Sequence, residues 1–158
     1  MTLQIGQDAP DFTLPRDGGG TVTLSALRGR AVVLFFYPAD DTPGCTTEAQ
    51  DFTALAPRLE SAGAAVFGVS GGGVAAKDRF VAKAGLGIPL LADESGEVIR
   101  AYGAWGEKSM YGKTYTGLIR TTVLIDADGK VAQTWKVSRV KGHAEAVAKA
   151  VEGLAATA

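Results

Sequence analysis

The chain alternates short apolar runs with amphipathic stretches, and the punctuation between them is mostly glycine and proline. Asp11-Phe12-Thr13-Leu14 and Thr21-Val22-Thr23-Leu24 flank Asp17-Gly18-Gly19-Gly20, a pattern that predicts a small hairpin with a glycine-rich turn. Ala31-Val32-Val33-Leu34-Phe35-Phe36-Tyr37 is continuous, β-branched and aromatic, as a strand buried on both faces should be. Thr46 to Leu59 mixes polar and apolar positions as an amphipathic helix does; Pro57 predicts a kink or break near Ala56, and Gly63 a stop. Ala64 to Val69 reads as a second buried strand. Gly71-Gly72-Gly73 then leads into a helix over Val74 to Ala84, with Gly85 at its end. Pro89 to Ala92 is a short strand, Ser95 to Tyr102 a turn and short helix, and Gly103 to Thr116 a polar loop containing aromatic residues. Thr121 to Ile125, the turn Asp126-Ala127-Asp128-Gly129 and Val131 to Val137 form a hairpin, and Ala144 to Leu154 a closing helix. This order predicts an α/β sandwich built on a mixed sheet.

Composition narrows the picture. Residues 1–158 suit one domain, and 46% hydrophobic with 21% charged residues is ordinary for a soluble globular protein. A formal net charge of −1 and the lack of any basic run argue against nucleic-acid binding. The opening Met1 to Asp8 lacks the pattern of a signal peptide, and no apolar stretch approaches the ~20 residues that span a bilayer. With one cysteine and one histidine the chain has neither a disulfide framework nor a Cys/His metal site of its own, which points to a reducing, cytoplasmic setting.

The chemistry therefore rests on Cys45. It lies between the first long strand and the helix after it, where the partial positive charge of a helix N-terminus favours thiolate, the nucleophilic form. A free cysteine is otherwise an inert core residue; the loop position tells against that here. Thr42 is a good N-cap, Pro43 suits the first helical position, and Gly44 permits close backbone approach. Thr47 with Gln50 makes a competing capping box, which would start the helix later and leave Cys45 outside it. Thr42 can also donate its hydroxyl to the sulfur or to a bound oxygen, a role compatible with capping. Arg120, at the edge of the strand Thr121 to Ile125, is the best candidate for a fixed cation. The pair Asp40-Asp41 reads as turn chemistry, Gly71 to Gly73 as a turn, and His143 as a capping or surface residue at the start of the last helix. Trp105, Tyr111 and Tyr115 most simply pack their loop against the body; a peroxide- or partner-docking surface is the other option.

Pro38-x-x-x-Thr42-x-x-Cys45, set in Phe36-Tyr37-Pro38 and Thr42-Pro43-Gly44-Cys45-Thr46, resembles the peroxidatic motif of peroxiredoxins, in the bacterioferritin comigratory protein or Q-type subfamily. The resemblance extends to Asp8 to Leu14, Phe67 to Ser70, Tyr102 to Gly106 and Arg120 to Asp126. It implies a thioredoxin-like fold and reduction of hydrogen peroxide and organic hydroperoxides. It also implies that Cys45 is the peroxidatic cysteine, Thr42 its hydrogen-bonding partner and Arg120 the thiolate-stabilising arginine. Pro38 would shield the pocket and Glu48 orient Arg120, although Glu48 could instead merely complement the helix dipole. No bound cofactor is implied.

The departure is at Gln50, where many Q-type members carry a resolving cysteine; the helix Val74 to Ala84 holds none either. Oxidised Cys45 must then be reduced from outside, by thioredoxin, glutaredoxin or a low-molecular-weight thiol. The expected enzyme is a monomer, or associates only weakly, and works by a one-cysteine mechanism. A thioredoxin-type oxidoreductase would need Cys-x-x-Cys, and Glu48 stands at the second position. A redox sensor or holdase using Cys45 as a switch is the remaining rival, and it would not turn over.

Overall fold

The computed structural model describes residues 3–157; Met1, Thr2 and Ala158, the ends of the single domain expected from the sequence, lie outside the described residues. The strands are β1 (Thr13–Pro15), β2 (Thr21–Thr23), β3 (Ala31–Phe36), β4 (Ala64–Ser70), β5 (Leu90–Ala92), β6 (Trp105–Met110), β7 (Lys113–Leu118), β8 (Thr121–Ile125) and β9 (Val131–Lys136). The helices are α1 (Pro43–Ser61), α2 (Val74–Ala84), α3 (Glu97–Ala101) and α4 (His143–Thr157), with a short 3-10 turn at Leu24–Leu27.

The central sheet has the order β5-β4-β3-β8-β9; β3, β4 and β5 are parallel, and β8 and β9 are antiparallel to their neighbours. β3 lies in the middle. Its alternating side chains feed two cores: Leu34 and Phe36 join Val69, Leu91, Ile99 and Tyr102 on one face, while Val33 and Phe35, with Tyr37 just past the strand, join Phe52, Phe80 and Val147 on the other. Burial on both faces is why the run lacks a polar alternation. Phe35 stacks on Phe52 with ring centroids 4.7 Å apart, which seats α1 on the sheet. The N-terminal hairpin β1–β2 packs onto the first face through Leu14, and Asp17 exchanges backbone and side-chain bonds with Leu90.

Three expectations are corrected. Pro57 neither breaks nor ends α1, which runs on to Ser61. Pro57 lacks the N–H that would bond the Thr53 carbonyl, but beyond it Leu59 is fully buried and Arg58 grips Glu145 and Glu152 of α4 at 2.5 and 2.7 Å. Tertiary packing outweighs the one lost bond. Residues 103–116 are not a loop: β6 and β7 pair from Trp105↔Leu118 to Met110↔Lys113. Tyr111 and Gly112, with φ 53 and 77, make the tight turn between them, the mirror-image type that suits strand twist. The capping box is also absent. Thr47 Oγ1 donates to the Pro43 carbonyl, Gln50 Nε2 reaches the Ala84 carbonyl, and α1 begins at Pro43.

Candidate active site

Strand β3 ends at Phe36, and a short loop, residues 37–42, delivers the chain to α1. Thr42 has extended backbone (φ −98, ψ 155) and occupies the N-cap position with Pro43 next, so the helix starts before Cys45. The first intrahelical bond runs from Thr46 N–H to the Thr42 carbonyl at 2.8 Å. The amides of Gly44 and Cys45 precede it and belong to the orphan donors of a helix start. Cys45 itself is 1% exposed, a buried thiol in the first turn of the helix.

Arg120 closes the site from the sheet. Its backbone carbonyl accepts from Val137 N–H at 2.9 Å, which fixes the residue where β8 begins. One guanidinium nitrogen donates to Cys45 Sγ at 3.4 Å and the other to Glu48 Oε1 at 2.6 Å. Cys45 and Glu48 are three residues apart on one helix face, so a single planar fork reaches both. A side-chain carbon at Gly44 would stand 3.4 Å from the nearer guanidinium nitrogen, so glycine leaves the arginine room.

The pair is unevenly satisfied. Glu48 Oε2 is buried with no hydrogen-bond partner among the described residues. Burial pushes the Glu48 carboxyl up to about 7, with Arg120 pulling the other way. Burial opposes the Arg120 charge too, but Glu48 and Cys45 outweigh it and hold the guanidinium above its ordinary range.

Other residues singled out by the sequence fall differently. Thr42 Oγ1 donates to the Ala39 carbonyl at 3.3 Å. Pro38 is exposed and walls a groove of about 360 Å³ together with Ile99, Trp105, Lys108, Tyr115 and Leu118. Trp105, Tyr111 and Tyr115 do not bury themselves against the body; they are 39%, 97% and 44% exposed. His143 is a correction: it is buried between Phe52 and Trp135 edge to face, its Nε2 2.7 Å from Thr122 Oγ1. Burial and nearby Arg120 lower its pKa.

Sequence reasoning missed Lys77, which is fully buried, and the contact it makes with Asp40 at 3.3 Å. A signal was present. Lys77, Phe80, Val81 and Ala84 recur at i, i+3, i+4 and i+7, so Lys77 lies on the buried stripe of α2.

A buried thiol at a helix start, held by a guanidinium on a thioredoxin-like sheet, defines a thiol-based oxidoreductase. The AhpC/TSA family pattern matches residues 5–134. The chain is 44% identical over 150 residues to peroxiredoxin Bcp of Xanthomonas campestris pv. campestris, covering 95% of this chain and 94% of that one. It is 41% identical over 154 residues to peroxiredoxin Bcp of Bacillus subtilis, covering 98% and 96%. A solved structure of Xanthomonas campestris peroxiredoxin Q superposes with a TM-score of 0.89 at 42% identity, covering 97% of each chain. Another, of the same species' bacterioferritin comigratory protein and its alkyl peroxide reduction activity, gives 0.88 at 42% identity over 97% and 98%. Two solved variants of the Xanthomonas protein each replace a different cysteine by serine, whereas this chain has one cysteine. The chain belongs to the AhpC/TSA family, among peroxiredoxins of the Bcp or Q type. It is accordingly a thiol peroxidase, taking a peroxide as substrate and a thiol as reductant.

Proposed function

We propose that Cys45 is the nucleophile and that the enzyme reduces both hydrogen peroxide and organic hydroperoxides, as the alkyl peroxide activity of its Xanthomonas relative suggests. The observation that carries this reading is the Arg120 guanidinium shared between Cys45 Sγ at 3.4 Å and Glu48 at 2.6 Å. The Cys45 thiolate attacks the terminal peroxide oxygen. An S–O bond forms as the O–O bond breaks, and the departing oxygen takes a proton to leave as water or an alcohol. The sulfur, oxidised by two electrons, is left as sulfenic acid.

Arg120 and the first-turn amides of α1 stabilise charge moving onto the departing oxygen, and Thr42 offers it a hydroxyl in place of the Ala39 carbonyl. Glu48 orients Arg120, and Pro38 shields the approach. One reducing thiol then displaces water to form a mixed disulfide, and a second releases Cys45. Those thiols come from a small molecule or from a thioredoxin- or glutaredoxin-type protein. The enzyme acts as a cytoplasmic monomer; no helix of the described residues is long and apolar enough to cross a membrane.

The test is the intact mass of reduced protein after one equivalent of hydrogen peroxide, with and without a sulfenic-acid trap, followed by turnover with added thiol. The wild type should gain one oxygen rapidly and cycle, while Cys45→Ser should do neither. Peroxide consumption by Cys45→Ser would end this mechanism. Oxidation without cycling on any thiol would favour the sensor or holdase, the reading that the lack of a second cysteine leaves in play.

A further inference from the structure

Opposite Arg120, two segments that the sequence marks only as turns meet over a buried lysine. Lys77 is 0% exposed, and its ammonium donates to Ser70 Oγ at 2.7 Å, the Gly72 carbonyl at 2.8 Å and Asp40 Oδ2 at 3.3 Å. The other Asp40 oxygen accepts from Tyr37 O–H at 2.7 Å. All three ammonium donors and both carboxylate oxygens are thus engaged. The glycine corner makes this possible: a side-chain carbon at Gly72 would lie 2.5 Å from Asp40 Oδ2 and 3.5 Å from Lys77 Nζ.

Burying an ammonium is expensive, and a well-packed apolar side chain on that stripe of α2 would stabilise the fold as well or better. What the lysine adds is geometry. Asp40 lies in the segment between β3 and α1, ahead of Thr42 and Cys45. Its neighbour Asp41 takes φ 61, the left-handed turn conformation that aspartate tolerates better than most side chains. Tyr37 shares the apolar cluster of Cys45 and feels the charge of both Asp40 and the sulfur. An exposed pair, Lys83 with Asp41 at 2.9 Å, adds a second and solvent-screened tie from the same helix.

We infer that Lys77 is a positioning residue for the peroxide step: through Asp40 it fixes the segment that sets Thr42 and the first turn of α1 around Cys45. The inference rests on Cys45 being the nucleophile and adds a residue to that site. Asp40, Asp93 and Glu94 face the Lys77 ammonium. The sulfur faces Arg120 and Tyr37; Glu48 and His143 lie near Arg120, and Asp51 near Glu48. Without Lys77, Asp40 is held by Tyr37 alone, and the segment it anchors is released. The first-turn donors that favour thiolate are then misplaced.

The experiment is single-turnover oxidation of reduced protein by hydrogen peroxide across pH, with thermal unfolding in parallel, for the wild type, Lys77→Met, Asp40→Asn and the double variant. Lys77→Met should slow oxidation on the order of 10- to 100-fold and move the midpoint of the pH–rate profile upward. The double variant should be no slower than Lys77→Met, because both changes release the same tie. Asp40→Asn separates geometry from charge. Removing a negative charge near a thiolate should by itself speed oxidation at neutral pH, whereas loss of positioning slows it. A folded Lys77→Met with a lower melting temperature but wild-type rate and midpoint would overturn the inference. If Lys77→Met does not fold, Asp40→Asn decides alone: slower supports the inference, equal or faster ends it. Peroxide consumption by Cys45→Ser would instead remove the nucleophile assignment itself. An inert Cys45→Ser beside a wild-type Lys77→Met would remove only Lys77.

Discussion

Arg120 with Glu48 on one side of Cys45, and Lys77 with Asp40 on the other, are both buried ion pairs, but only the first reaches the sulfur. They also differ in mounting. Arg120 is fixed by the β8–β9 edge and Glu48 by α1, whereas Asp40 belongs to a connection that is held from outside. The rigidly mounted pair leaves Glu48 Oε2 without a partner among the described residues, while the pair that holds the connection engages all three ammonium donors and both carboxylate oxygens. Electrostatic work tolerates an imbalance because the imbalance is what titrates. Positioning work does not, since an unsatisfied buried group would let the segment drift.

Breaking the first pair at its cation should have the largest effect. Arg120→Ala removes the charged donor to Cys45 Sγ, and on the proposed mechanism oxidation by peroxide should slow by about 100-fold or more. The pH–rate midpoint should rise with it. An unchanged profile would take Arg120 out of the chemistry and leave the two pairs functionally alike.

Glu48→Gln sharpens the contrast with a smaller change, about tenfold in oxidation rate, and with a pH signature. Burial raises the Glu48 carboxyl from 4.5 to about 7. Between those values the folded protein holds a proton that the unfolded chain has released. Stability should therefore fall as pH rises through that window, by up to about 3 kcal/mol from this group. In Glu48→Gln that part of the slope should vanish from denaturant titrations run at several pH values. A slope identical to wild type would mean that Glu48 stays ionised and paired throughout.

The smallest effect belongs far from both pairs. Tyr111, 97% exposed at φ 53, occupies a turn position that asparagine fills with less strain. Tyr111→Asn should raise the melting temperature by about 2 °C and leave peroxide oxidation unchanged. A slower oxidation would show that the β6–β7 hairpin takes part in the site.

The contact of Cys45 with Arg120 and the strands of the central sheet were legible because each has a local signature. β3 is an unbroken apolar run, Cys45 follows a cap and a proline, and Arg120 precedes another apolar run. The β6–β7 hairpin was not legible, because exposure on both faces erases the apolar alternation and Tyr111-Gly112 lacks the usual asparagine or aspartate. His143 was read by residue type and Lys77 was passed over, since both types are commonly exposed; the contacts to Thr122 and Asp40 that satisfy them when buried come only with the tertiary fold. Pro57 misled for the opposite reason, since a strong local signal yielded to the Arg58 clamp on α4.

The residues that meet at the sulfur are 75 positions apart, and Arg120 takes its place only once β8 lies beside β3 and β9 beside β8. A growing chain therefore carries its cysteine long before it carries the cation, and the non-local pairing that unites them is the slow kind. During synthesis the thiol is present without its guanidinium partner through most of elongation. That contact arrives late, with the closing of the sheet, so a copy truncated before β8 would keep the cysteine and lack the arginine that reaches it.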